Sequence, residues 1–234
     1  ERSFARDAHV VAKLGARFIA GLQGAGVAGA AKHFPGHRHT DVDSHHALPR
    51  LPHSLERLEQ TELVPFQAAV AAHVASIMTA HVMFPALDAD EPATLSPAIL
   101  DGLLRTKLAY DGVVVSDDLE MAAVADRYDV ATLVERGLRA GVDCFLVCHD
   151  PNKQRRAVEA AHELVDSGRV PRARVEQAVA RVRAMKAKYV GAPAAPSLDE
   201  AKRIVRSAPH LELARKLASA KVEETRGASP VDVG

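Results

Sequence analysis

The chain has 234 residues, 47% of them hydrophobic, which is enough to bury the core of one sizeable domain and excludes a disordered protein. Its 30 Lys and Arg residues balance 30 Asp and Glu residues, so no basic field attracts nucleic acid or an anionic membrane surface. Neither nucleic acid nor a membrane is therefore expected as a partner, and no stretch reaches the length of a membrane-spanning helix.

Helical periodicity and short apolar runs alternate along residues 1–190. Strands bounded by polar residues and helices with one apolar face are both present, and their connections are short. The pattern predicts, in chain order, helix 6–23, strand 27–34, helix 62–73, strand 75–82, helix 97–108, strand 112–116, helix 130–140, strand 143–147, and helices 153–167 and 172–189. Four strand–helix units of this kind are typical of a parallel α/β architecture.

The polar residues capable of chemistry cluster directly after the predicted strands. In a (β/α)8 TIM-type barrel the active site lies at these carboxyl ends, and a full barrel has eight strands over about 250 residues. We therefore predict an α/β fold in which residues 1–190 form roughly the second, C-terminal half of such a barrel. A linker at 191–197, two short helices at 198–206 and 209–222, and a frayed tail are expected to complete 191–234.

Segment 32–49, just after the first strand, contains five histidines, two aspartates, a lysine and an arginine around a Pro-Gly turn. Such a density of reactive side chains on a loop after a strand is difficult to explain by packing. A zinc site and a solvated loop that happens to be rich in histidine are the two alternatives. The absence of cysteine from the segment and the lack of compact ligand spacing favour catalysis over a metal.

A second candidate element, Ser-Asp-Asp-Leu-Glu-Met, begins at the end of strand 112–116. An aspartate in this position can act as a nucleophile or as an electrostatic stabiliser, and an aspartate can equally cap a following helix. We predict that Asp117 points into the site and that Asp118 caps a helix. His81, after the second strand, is predicted to be packed or to support the site from behind, and His149 and Asp150 have no predicted role.

The two cysteines, Cys144 and Cys148, are four residues apart, and in strand conformation their side chains would share a face but lie roughly 13 Å apart. That separation is too large for a disulfide. We expect buried free thiols, which are typical of a reducing compartment.

These motifs resemble those of bacterial β-N-acetylglucosaminidases of glycoside hydrolase family 3. The matching patterns are Lys-His-Phe-Pro-Gly-His at 32–37, Asp-Ser-His at 43–45, Ser-Asp-Asp-Leu-x-Met at 116–121, Arg-Ser-Phe at 2–4, Pro-Ala-Thr-Leu-Ser at 92–96 and Ala-Gly-Val-Asp at 140–143. One difference is Arg38-His39, where the family has Gly-Asp. It adds bulk and positive charge at the base of the loop and leaves the motif residues unchanged.

The resemblance implies the roles of individual residues. Asp117 is expected to be the nucleophile. His45 is expected to be the general acid/base, oriented and tuned by Asp43. The remaining three, Arg2, Lys32 and His33, are expected to hold hydroxyls of the sugar.

The resemblance also implies a retaining exo-β-N-acetylglucosaminidase that acts on glycans such as peptidoglycan fragments. Its substrate would be a small molecule or an oligosaccharide, and we expect no cofactor, no metal, a monomer and a cytoplasmic location. A histidine acid/base departs from the usual pair of carboxylates, but its ordinary pKa of about 6.5 suits proton transfer near neutrality.

Two alternatives remain at this point. The chain could be a non-catalytic remnant that binds sugar or a partner, since an open half-barrel exposes strand edges and apolar surface. Finding about 130 further residues before Glu1, the rest of a barrel, would count against this reading. The chain could also be a β-N-acetylglucosaminide phosphorylase, in which phosphate replaces water in the second step.

Overall fold

The computed structural model describes residues 4–37, 48–190 and 197–219. The chain divides into two compact units, Glu1–Gly191 and Ala192–Gly234. The first unit contains α1 (Ala8–Gly24), β1 (Ala30–Phe34), α2 (Leu55–Arg57), α3 (Val64–Ala71), β2 (Ser76–Thr79), β3 (Met83–Phe84), β4 (Asp88–Pro92), β5 (Val113–Asp118), α4 (Ala122–Ala125), α5 (Val130–Ala140), β6 (Cys144–Leu146), α6 (Pro151–Asp166) and α7 (Arg172–Tyr189).

Four strands of the described ranges form a parallel sheet in the order β1-β2-β5-β6. Ser76 of β2 lies beside Ala30 of β1 on one side and beside Val113 of β5 on the other. The end of β5 lies beside the end of β6, where Asp118 pairs with Leu146. Each connection between neighbouring strands contains helix, as parallel crossovers require. The predicted α/β class and the four predicted strands are therefore confirmed, although β1, β2 and β6 are shorter than predicted and β5 extends to Asp118, two residues beyond its predicted end.

An antiparallel hairpin of β3 and β4 interrupts the second crossover and was not predicted. The reason is composition, because β4 reads Asp-Ala-Asp-Glu-Pro and these residues are rare in strands. After β4 a short 3₁₀ turn, Ala93–Leu95, brings Thr94 back under the sheet.

The helix predicted at 97–108 follows the hairpin as a π-helical segment, Ala98–Lys107. Its start matches the sequence signal, since the Ser96 hydroxyl accepts a hydrogen bond from the amide of Ile99 at 3.1 Å. A second π-helical segment, Leu58–Glu62, leads from α2 towards α3.

Buried hydrophobic side chains of the described residues form two clusters. The first includes Phe34 at the end of β1 and Phe66 on α3, whose rings meet edge to face with centroids 5.1 Å apart. The second lies under α5 and α6 and includes Leu133 and Leu164. Aromatic pairs of this geometry add to the stabilisation from area alone, so the Phe34–Phe66 contact holds the end of β1 in place.

The side chain of Asp143, just before β6, is fully buried and forms the centre of an ion-pair network. Its carboxylate contacts the guanidinium groups of Arg105 at 2.6 Å, Arg174 at 3.1 Å and Arg181 at 3.2 Å. It also accepts a hydrogen bond from the amide of Val114 at 3.0 Å. This one side chain therefore connects the π-helical segment 98–107, β5 and α7 at the start of β6.

The two cysteines are free, as predicted, but they are not both buried. Cys144 on β6 is half-buried, whereas Cys148 is exposed. The expectation of two buried thiols was wrong for Cys148 because β6 ends at Leu146, two residues earlier.

The second unit contains α8 (Leu198–Ile204) and α9 (Ala208–Ser219), close to the two helices predicted after the linker. Ser197 caps α8 by accepting a hydrogen bond from the amide of Glu200 at 3.2 Å. Within the described ranges, no helix combines the length and the apolar character needed to cross a bilayer.

Candidate active site

The carboxyl ends of the parallel strands bring His33 of β1 and Asp117 of β5 together. The distance from His33 Nε2 to Asp117 Oδ2 is 3.6 Å, too long for a direct hydrogen bond. The two side chains are 25% and 18% exposed, so both remain reachable from solvent. The Asp117 Oδ1 atom is already engaged, because it accepts a hydrogen bond from the amide of Asp118 at 2.9 Å. Oδ2 is therefore the carboxylate oxygen that faces His33 and the solvent.

Burial lowers the pKa of His33 to about 4, and the nearby charge of Asp117 only partly offsets it. Lys32 and the rings of His37 and His81 lower it further. His33 is therefore neutral at neutral pH, and a neutral imidazole has one donor and one acceptor nitrogen. It can hold a hydroxyl group without neutralising the negative charge of Asp117.

We expect the imidazole of His33 to stay neutral from about pH 5 to 8. Its ring C–H signals in NMR should stay constant over this range, whereas a histidine in an unfolded peptide titrates near about 6.5. Because the folded pKa of His33 lies below the unfolded one, the unfolded chain binds an extra proton between them. The contribution of His33 to the free energy of unfolding is therefore complete above about pH 6.5, and it is lost as the pH falls through about 4.

The variant His33→Asn should flatten that part of the stability curve, measured by urea unfolding at several pH values. A His33 signal that titrates near about 6.5 in the folded chain would contradict the expectation.

Lys32 and His37 flank His33. Lys32, in the middle of β1, is exposed, and the ring of His37 lies 5.4 Å from the ring of His33, centroid to centroid. Gly36, the residue before His37, lies close to buried Glu62, and a Cβ at Gly36 would be only 2.9 Å from Glu62 Cγ. This contact holds the turn that leads towards residue 38.

Three of the six predicted site residues, Arg2, Asp43 and His45, lie outside the described residues. The same is true of Arg38 and His39. The acid/base dyad and the role of Arg2 therefore stay predictions. The structure brings together Asp117 and His33, and it places Lys32 next to His33 on β1, where its charge lowers the pKa of His33.

Asp118 does not cap a helix, so that prediction was wrong. It is the last residue of β5, and the next helix, α4, begins only at Ala122. Its Oδ1 atom accepts hydrogen bonds from the amide of Glu120 at 3.1 Å and from the amide of Cys148 at 3.3 Å. The carboxylate thus stabilises the turn after β5 and ties it to the loop after β6.

His149 and Asp150, which had no predicted role, join this polar cluster at the strand ends. The carboxylate of Glu120 accepts hydrogen bonds from the amides of His149 at 2.5 Å and Asp150 at 3.2 Å. Burial of Glu120 opposes its ionisation, but these amides and the charge of Lys153 outweigh burial, and its pKa lies below the usual value. His149 Nδ1 is 3.2 Å from Asp118 Oδ2.

One atom each of Asp118, Glu120 and His149 lies within 4.8 Å of the others, a spacing that a metal ion could use. The carboxylates of Asp118 and Glu120 already accept hydrogen bonds from backbone amides. These bonds explain the cluster as a connection between the loop after β5 and the loop after β6. A signal for part of it was present in the sequence. Asp150 precedes Pro151, the pattern of an N-cap followed by proline in the first turn, and its carboxylate accepts from the amide of Asn152 at 2.8 Å.

His81 is packed behind the site, as predicted, and is only 1% exposed. Its Nε2 atom lies 3.0 Å from the carbonyl oxygen of Asp118, and its Nδ1 atom lies 2.8 Å from the hydroxyl of Thr94. It therefore contacts the residue that follows Asp117 and does not itself face the solvent.

Residues 1–185 match the family described as the glycosyl hydrolase family 3 N-terminal domain. A β-hexosaminidase from Pseudomonas aeruginosa is 41% identical over 163 residues, which cover 70% of this chain and 48% of that protein. β-Hexosaminidase A from Pseudoalteromonas piscicida is 32% identical over 243 residues, covering 96% of this chain and 40% of its own length.

Among solved structures, a glycoside hydrolase family 3 β-N-acetylglucosaminidase from a Paenibacillus strain superposes with a TM-score of 0.87 at 42% identity. The superposition covers 93% of this chain and 41% of the other. The domain of this family is a (β/α)8 barrel, so the barrel prediction is confirmed, with the four parallel strands described here forming part of it. The chain spans less than half the length of these relatives.

Proposed function

Because the chain belongs to the glycosyl hydrolase family 3 N-terminal domain family, we propose that it carries catalytic machinery of a retaining exo-β-N-acetylglucosaminidase. The observation that supports this most directly is the placement of Asp117. It is the penultimate residue of β5, at the carboxyl end of the sheet, where its side chain is 18% exposed and Oδ2 lies 3.6 Å from a neutral imidazole. This is the arrangement that a nucleophilic carboxylate beside a sugar-binding side chain requires.

In the proposed first step, Asp117 Oδ2 attacks the anomeric carbon and the bond from that carbon to the leaving oxygen breaks. Protonated His45, oriented by Asp43, gives its proton to the leaving oxygen. In the second step water attacks the anomeric carbon of the glycosyl ester and loses a proton to His45, while the bond from that carbon to Asp117 Oδ2 breaks and the Asp117 carboxylate is restored. Two inversions at one carbon leave the product with the β configuration of the substrate.

In this proposal Arg2, Lys32 and His33 hold hydroxyl groups of the sugar. His33 suits this task because its neutral ring both donates and accepts a hydrogen bond. The side chain of Asp117 keeps its charge for the reaction, since a neutral His33 forms no ion pair with it.

We further propose that the substrates are glycans with a terminal N-acetylglucosamine, such as peptidoglycan fragments, and that the protein is cytoplasmic. The balanced charge of the chain supports a neutral sugar substrate over a polyanion. The two free cysteines support a reducing compartment. The proposed chemistry uses protein side chains and water.

The test is hydrolysis of 4-nitrophenyl N-acetyl-β-glucosaminide by the chain, with the configuration of the first-formed sugar followed by ¹H NMR. We expect nitrophenol release with β-N-acetylglucosamine formed first, at a rate that does not depend on phosphate. Release of a sugar 1-phosphate that requires phosphate would identify a phosphorylase instead. Binding of N-acetylglucosamine without turnover would favour the non-catalytic alternative.

A further inference from the structure

A buried chain of three polar side chains lies directly behind the candidate nucleophile. Thr79 ends β2, Thr94 lies in the 3₁₀ turn after the hairpin, and His81 lies between the two in sequence. All three are at most 1% exposed. The hydroxyl oxygens of Thr79 and Thr94 are 2.8 Å apart, and the Thr94 hydroxyl is 2.8 Å from His81 Nδ1.

The partners of this chain define where its protons are. The carbonyl oxygen of Asp118 can only accept, so the Nε2 atom of His81, at 3.0 Å, must carry a proton and donate. Burial lowers the pKa of His81, against the charge of Asp117, and the ring is therefore neutral. Its Nδ1 atom then has no proton and accepts from the Thr94 hydroxyl, which in turn accepts from Thr79.

The Thr94 hydroxyl also lies 3.1 Å from the carbonyl oxygen of Ala80. One hydroxyl proton cannot serve both acceptors, and the contact with His81 is the shorter. If His81 were charged, Nδ1 would donate to Thr94, whose proton would turn to Ala80. The two protonation states of His81 thus correspond to opposite directions of hydrogen-bond donation between His81 and Thr94.

We propose that His81 is a positioning residue for the nucleophile, acting as the Nε2–H tautomer held in place by Thr94 and Thr79. This rests on the proposed function for its effect on catalysis but not for its effect on structure. Two hydrogen bonds connect His81 to Asp117 through the backbone of Asp118. His81 holds the carbonyl of Asp118, and the amide of the same Asp118 holds Oδ1 of Asp117 at 2.9 Å.

Restricting Asp118 therefore restricts the direction of the Asp117 carboxylate and keeps Oδ2 turned towards the sugar site. The carbonyl of Asp118 also accepts from the amide of Met121 at 3.1 Å, which closes the turn after β5. His81 connects this turn to the end of β2, the strand next to β5.

The test compares two substitutions that each keep one half of the imidazole. Gln in His81→Gln places an amide nitrogen near the position of Nε2 and can still donate to Asp118. Asn in His81→Asn reaches only to the position of Nδ1 and keeps the contact with Thr94. On an aryl N-acetyl-β-glucosaminide we expect His81→Asn to lower kcat by about 100-fold with little change in KM, and His81→Gln to stay within about fivefold of the parent.

Equal decreases of kcat in the two variants, or an effect on KM alone, would overturn the positioning role.

Circular dichroism would show whether either variant fails to fold. A second measurement, of the histidine tautomer, uses the parent chain and needs no variant. In the chain labelled with ¹⁵N-histidine, the His81 signals near neutral pH should show a protonated Nε2 and an unprotonated Nδ1. A protonated Nδ1 would overturn the proposal.

The carboxyl ¹³C signal of Asp117 gives a second readout that is independent of turnover. It should move in His81→Asn and stay close to its parent position in His81→Gln. An unchanged signal in both variants would contradict the role of His81. A parent chain that shows the expected tautomer and Asp117 response but hydrolyses nothing would count against the proposed function and not against this inference.

Discussion

Replacement of Asp117 by alanine should lower kcat for an aryl N-acetyl-β-glucosaminide by at least about 10⁴-fold, the scale on which loss of a nucleophile is felt. The variant cannot form the glycosyl ester, and it also lacks the negative charge that stabilises the positively charged sugar in the transition state. The loss should fall on kcat, because the proposed sugar-binding residues Lys32 and His33 are unchanged in the variant. Release of nitrophenol under saturating substrate measures it.

Azide sharpens this experiment. The cavity left by Asp117→Ala can admit azide, which would attack the anomeric carbon from the side that the carboxylate occupied. We expect azide to restore part of the rate and to yield the α-glycosyl azide, the product of a single inversion. Asp101→Asn is the matched control, since Asp101 is exposed on the π-helical segment 98–107 and should leave kcat unchanged. An Asp117→Ala chain as active as this control would show that another group is the nucleophile.

Replacement of Asp143 by asparagine should lower the free energy of unfolding by about 3–5 kcal/mol, the cost of breaking a buried ion pair from one side. Asp143 is fully buried, and its carboxylate balances the guanidinium groups of Arg105, Arg174 and Arg181. The amide keeps a hydrogen-bonding oxygen but leaves this cluster of positive charge without its counter-ion. Urea unfolding followed by circular dichroism measures the change.

Glu163→Gln provides the comparison for this prediction. Glu163 also pairs with an arginine, Arg156 at 3.0 Å, but the two side chains are 64% and 43% exposed. Exposed pairs contribute about 0–1 kcal/mol, so this variant should remain close to the parent in stability. Similar losses of unfolding free energy in the two variants would mean that the buried ion pairs of Asp143 are no more stabilising than an exposed pair.

Local sequence determined the elements that carry the site. β5 follows from a run of three valines, and Asp117 was singled out because it is the first carboxylate after that run. The same logic located His33 at the end of β1 and the start of the helix after Ser96. These signals work because hydrophobic periodicity and capping depend on residues only a few positions apart.

Where a short-range rule had two solutions, the sequence could not choose between them. Asp118 fits a helix cap as well as a turn, and only the neighbouring loop, with the amide of Cys148 thirty residues away, settled the matter. The β3–β4 hairpin was missed for a related reason. The residues of β4 are poor strand formers, and pairing with β3 outweighed their propensity.

By itself, the sequence predicted the α/β architecture, the four strands of the parallel sheet and Asp117, His33 and Lys32 as candidate residues. The tertiary structure decided how those residues behave. It placed His33 3.6 Å from Asp117 and buried it enough to lower its pKa, and it set His81 under the carbonyl of Asp118, 37 residues along the chain. Distances and burial of this kind arise from contacts between elements far apart in sequence, and periodicity within one element contains no record of them.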